Sequence, residues 1–75
     1  MSDDDDFRVG DIVSRDGTDE HEIIEADDGW GLIEVRCIRE PTPLRDGSVW
    51  THVGDTERNL SRRYTLVRRG PIIDI

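Results

Sequence analysis

Seventy-five residues and 8.6 kDa leave room for one small domain, which on surface scaling buries only about 62% of the area that its unfolded chain exposes. Eighteen acids against ten bases give a formal net charge of -8, which disfavours duplex nucleic acid and anionic membranes as default partners. No apolar run approaches the roughly 18 residues of a membrane span. The opening segment Met1 to Asp6 is acidic where a secretory leader is basic and then apolar, and the lone Cys37 rules out an internal disulfide, so a cytoplasmic location is expected.

Ser2 to Asp6 is a like-charge run with nothing to bury, so residues 1–6 read as a disordered acidic tail. The first apolar run, Phe7 to Ser14, carries Val9, Ile12 and Val13 and ends at Arg15-Asp16-Gly17-Thr18, where Asp-Gly supplies the positive φ of a tight turn. His21 to Ala26 follows with Ile23 and Ile24, closed by Asp27-Asp28-Gly29. In the longest run, Trp30 to Glu40, Ile33, Val35 and Cys37 alternate with Glu34 and Arg36, the period of a strand with one buried face. Pro41-Thr42-Pro43 ends it, because proline donates nothing to a ladder. The spacing then predicts a fourth strand over Val49 to Val53 and a helical turn ending at Arg63, capped by Asp55 or Thr56, with Leu60 inward. Tyr64 to Arg68 is the fifth strand, and residues 69–75 form an apolar tail.

Val9-Gly10-Asp11-Ile12-Val13 at the opening, Asp27-Asp28-Gly29 before the central strand, and Asn59-Leu60 through Tyr64-Thr65-Leu66-Val67 at the close resemble the small SH3-like barrels, KOW-like and Tudor-like members included. The resemblance implies an all-β fold: a single five-stranded barrel over residues 7–68, with one short helical turn before the last strand. In size and composition the chain also looks like the tiny reading frames of bacteriophages from GC-rich hosts. All ten of its bases are arginine, with no lysine.

Enzyme chemistry finds little support. The acids sit in turns, and there is no G-x-S-x-G, no phosphate-binding glycine loop and no H-E-x-x-H. Cys37, His21 and His52 lack metal-ligand spacing, so no metal and no cofactor is expected. His21, between Glu20 and Glu22, reads as a solvated strand end; Cys37, in step with Ile33 and Val35, reads as a small buried hydrophobe.

What remains is interaction. Phe7, Trp30, Trp50 and Tyr64 are the only aromatics; Phe7 and one tryptophan are expected inside, leaving Trp30 or Trp50, with Tyr64, for a contact surface. Ile72, Ile73 and Ile75 make the tail apolar enough to pair with this chain, a sister subunit or another protein. The leading expectation is therefore a non-catalytic module that binds another protein through the aromatics Trp30, Trp50 and Tyr64 or through Ile72, Ile73 and Ile75 of the tail. One version is a phage-encoded accessory or inhibitor, acting in the host cytoplasm, whose carboxylates mimic nucleic acid; it requires acids that are not scattered evenly among the arginines. The alternative is a nucleic-acid-binding barrel using Arg58, Arg62, Arg63, Arg68 and Arg69, although internal ion pairing is the favoured use of that cluster. A third reading, from the thin core and apolar tail, is a structural component of a larger assembly or a homo-oligomer.

Overall fold

The computed structural model of the chain describes residues 7–26 and 29–70. It contains β1 (Ile12–Ser14), β2 (Glu20–Glu25), β3 (Leu32–Arg39), β4 (Thr56–Leu60) and β5 (Thr65–Arg68), with a single 3-10 turn, Ser61–Arg63, between the last two. The five strands form one antiparallel sheet in the order β4-β3-β2-β1-β5. All-β is therefore the fold class. The first four strands form a meander, and β5 returns to pair with β1.

That order constrains the sheet's shape. Edges four strand spacings apart stand about 19 Å from each other in a flat sheet, yet Ser61–Arg63 and Tyr64 alone carry the chain from one edge to the other. A 3-10 turn rises only about 2.0 Å per residue. The sheet must curl to bring β4 and β5 together, although the two strands do not pair and the sheet is not closed.

The curl encloses Phe7, Val13, Ile23, Ile33, Val35 and Tyr64, with Leu66 packed against them. The expected alternation holds along β3, where Ile33, Val35 and Cys37 are buried. On β2, His21 and Ile23 face the same interior. Outside, Glu22 pairs with Arg36 across the ladder at 2.7 Å, and Arg58 of β4 reaches Glu34 of β3 and Glu25 of β2.

Three expectations need correction. The first strand is shorter than Phe7 to Ser14, because the chain turns at Val9-Gly10, with Asp11 N–H donating to the Arg8 carbonyl at 3.0 Å. That turn folds Phe7 over the core. Val49 to Val53 is loop and Thr56–Leu60 is the strand. Thr-Glu-Arg-Asn-Leu has no apolar alternation because it is a polar edge strand, held by its ladder to β3, so its sequence shows nothing of a buried face. Finally, neither Asp55 nor Thr56 caps the 3-10 turn: its cap position is Leu60, without a side-chain bond.

Asp11 ties the two ends of the described body together. Its buried carboxylate accepts hydrogen bonds from Arg8 N–H at 3.0 Å, Gly70 N–H at 2.9 Å and Arg69 Nη1 at 2.8 Å. Burial alone would raise its pKa, but these donors hold it below the usual carboxylate value. Gly70 lies so close to this segment that a Cβ on it would sit 2.5 Å from the Gly10 carbonyl carbon and 3.1 Å from Asp11 N. A Gly70→Ala substitution should therefore cost about 1–3 kcal/mol, read as a lower urea midpoint with an unchanged slope.

Candidate functional site

Asp19 ends the β1–β2 turn and is 1% exposed. Its Oδ1 accepts the Ser14 hydroxyl at 2.7 Å, Arg15 N–H at 3.1 Å and Asp16 N–H at 3.0 Å, while Oδ2 meets His21 Nε2. Burial by itself would push this carboxyl up, but the backbone and hydroxyl donors and His21 hold it well below the usual range. His21 is itself 1% exposed, contrary to the solvated strand end that its flanking glutamates suggest. The reason is strand period: Asp19 and His21 are two apart and share the inner face, where Glu20 and Glu22 do not.

The network is structural in character. Asp19 stands between Ser14 and His21, so the serine hydroxyl is bonded to a carboxylate and not to the imidazole that would have to deprotonate it. Cys37, opposite His21 in the ladder, is a poor nucleophile, since burial pushes its thiol up. Among the described residues no cluster of acids, histidines or cysteine suits a metal ion.

The network does position an aromatic. The His21 ring packs against Tyr64 edge-on at 5.9 Å and against Trp50 at 5.6 Å. Trp50 comes from the long β3–β4 connection and stays 42% exposed. Its indole N–H points at Asp16 Oδ2, 3.4 Å away, and the Arg15 guanidinium lies over the ring, 5.1 Å from its centre. Arg15 also reaches Glu57 of β4 at 3.5 Å. Around this cluster runs an open groove of about 720 Å³ lined by Arg15, Trp50, Thr51, Gly54, Asp55, Thr56 and Glu57. Its far wall is the turn His52 to Asp55, closed by Asp55 N–H on the His52 carbonyl at 2.9 Å.

The other expected contact residues lie elsewhere. Trp30 is 83% exposed beside Gly31, whose carbonyl accepts Ser61 N–H at 2.7 Å. It thus belongs to the end of the sheet where β3 begins, whereas Trp50 packs on His21, opposite Cys37 near the end of β3. At about 3.3 Å per residue the two ends are roughly 20 Å apart, so the tryptophans do not share one surface. Tyr64, expected at a contact surface, is buried at 4% exposure because it follows the turn that closes the curl. Its hydroxyl has no hydrogen-bond partner among the described residues. Burial first, then the charge of Glu57, push its pKa to about 12. Ile72, Ile73 and Ile75 fall outside the described residues.

The arginine cluster divides. Arg58 pairs with Glu25 and Glu34, Arg68 with Glu20, and Arg69 with Asp11. Arg62 and Arg63 lie exposed on the 3-10 turn. Seven of the eighteen acids lie outside the described residues, leaving eleven against ten arginines, so the described residues by themselves are nearly neutral. Their acids interleave with arginines, and no dense carboxylate array exists among the described residues.

Sequence reading missed Asp19, Arg15 and Glu57. The spacing Asp19-x-His21 on one strand face was the available signal for the first; the other two are separated by 42 residues and meet only in the fold. Comparison with protein-family models, curated proteins and solved structures finds no match.

Asp19 should dominate acid stability. Its folded pKa lies below the unfolded value of about 3.9, so its contribution is full above that pH and is lost as pH falls towards the folded value. Urea midpoints should therefore drop between about pH 5 and pH 2, and Asp19→Asn, costing about 3 kcal/mol near neutrality, should flatten that drop. In ultraviolet titration the single tyrosine should ionise only near pH 12 while the protein stays folded, against about 10 in urea.

Proposed function

We propose that this chain is an SH3-like barrel that serves as a non-catalytic protein-interaction module, with its partner surface at the Trp50 groove. The barrel reading is supported by the strand order and by the three-residue 3-10 link between opposite sheet edges. The observation that carries the interaction reading is Trp50 itself: exposed, yet held by Asp16 at its edge, Arg15 over its face and the buried His21 beside it. A large aromatic fixed before binding loses little side-chain entropy on contact, which is the character of an interface anchor. Trp30, roughly 20 Å away, is a second exposed aromatic and not part of the same groove.

The alternative, nucleic-acid binding through the C-terminal arginines, now rests on Arg62 and Arg63, because Arg58, Arg68 and Arg69 are engaged in ion pairs. Such pairs are weak in water, but they neutralise charge where phosphate would need it. The protein reading has the better-formed surface. Use as a component of a larger assembly is the third reading.

Capture by a tagged chain from native lysate, before and after nuclease, separates these readings. A stoichiometric protein should survive nuclease and weaken about 30-fold with Trp50→Ala, while Trp30→Ala leaves it bound. Trp50→Ala should retain the melting transition, since the ring is 42% exposed. A partner that disappears with nuclease, or that ignores Trp50→Ala, would defeat the proposal.

A further inference from the structure

Charge at the Trp50 groove is lopsided. Asp16 holds the indole edge, Asp55 and Glu57 line the walls, and among the described residues a single cation, Arg15, answers these three carboxylates. That cation lies over the Trp50 ring, with a carboxylate beside it. Both of its contacts are soft: the guanidinium is 5.1 Å from the ring centre, and the ion pair with Glu57 is 3.5 Å long between side chains that are each about one-third exposed. Neither is strong enough to lock the side chain in place. Arg15's backbone is another matter, because its N–H is bonded to the buried Asp19 carboxylate. The side chain can swing away while the turn stays fixed.

Resting on the reading of this groove as the partner surface, we propose that it takes a basic side chain, arginine before lysine, from a partner protein's exposed segment, and that Arg15 is a resident occupant which the incoming cation displaces. The incoming guanidinium stacks on Trp50 and pairs with Glu57, as Arg15 does in its absence. Arginine is favoured over lysine because a planar guanidinium both stacks on the indole and forks onto a carboxylate. Asp55, lining the same groove, gives a second basic residue of the same segment its counter-charge. Displaced into solvent, Arg15 loses only weak contacts. Its presence therefore lowers affinity modestly and rejects ligands that do not bring a cation of their own.

The prediction separates two roles that Arg15 can have. If it is a displaced occupant, removing it tightens binding of a basic ligand; if it is itself the recognition residue, removing it destroys binding of an acidic one. The test uses the full chain with Trp30→Phe, leaving Trp50 as the sole tryptophan. Its indole fluorescence and indole N–H resonance are followed on titration with a blocked octapeptide alternating arginine and serine, with its lysine counterpart, and with its glutamate counterpart. The arginine peptide should shift both Trp50 signals and bind more tightly than the lysine peptide. Arg15→Ala should tighten it about two- to five-fold, the strength of one exposed cation–π contact. Glu57→Gln should weaken it by a similar factor at low salt, with the difference fading near 0.5 M as charges are screened. Melting curves of both variants should match the parent, because both side chains are exposed in part.

Weaker binding of the arginine peptide to Arg15→Ala would overturn the displacement. Binding of the glutamate peptide, lost on Arg15→Ala, would overturn the cationic ligand while leaving Trp50 as a partner surface. If no peptide moves the Trp50 signals, the basic-ligand assignment falls, whereas the interaction reading stands or falls separately on lysate capture with Trp50→Ala.

Discussion

Asp19 is a carboxylate with almost no access to water, placed where two strands leave a tight turn. Stripping a carboxylate of water is costly unless donors replace what is lost. Four do so: the Ser14 hydroxyl, the N–H groups of Arg15 and Asp16, and His21. Those donors fix the turn's backbone and the imidazole's orientation together. Because β1 carries Ser14 and β2 carries His21, the register of that pair follows from the same contacts, with Val13 opposite His21.

The surface inherits that order. His21 cannot rotate freely while bonded to Asp19, and it supplies a wall against which Tyr64 and Trp50 pack. Tyr64 then seals the curl from the 3-10 side, its hydroxyl without a hydrogen-bond partner among the described residues and its ionisation postponed. Trp50 has the opposite fate. It lies on the long β3–β4 connection, and its ring covers the network from outside and remains half in water, although its neighbour Thr51 is buried. A buried polar cluster thus orders an exposed apolar group, which links the stability of the fold to the shape of its candidate interface.

Electrostatics follows a similar division. The net charge of -8 belongs to the whole chain; among the described residues eleven acids meet ten arginines, many in cross-strand pairs. Such pairs add little stability each, but they leave no large uniform field among the described residues. What survives is local: three carboxylates around one aromatic at one end of the sheet, and Arg62 and Arg63 at the link between its edges.

The sequence alone determined the strand character of β2, β3 and β5, since period-two burial and glycine turns are local properties of Ile33-Glu34-Val35-Arg36-Cys37 and Asp16-Gly17. It also determined the burial of Cys37 and the lack of any spaced catalytic or metal motif. Tertiary structure decided the rest. Thr56–Leu60 became a strand because β3 offered it a ladder, while the better-patterned Val49 to Val53 stayed loop, the backbone meeting β3 only from Gly54 and Asp55, which bond to Cys37. It buried Tyr64 and His21, left Trp50 and Trp30 exposed at opposite ends, and brought Arg15 to Glu57 across 42 residues of chain. Those outcomes depend on which elements meet in space, and no local pattern of side chains encodes a meeting between residues so far apart.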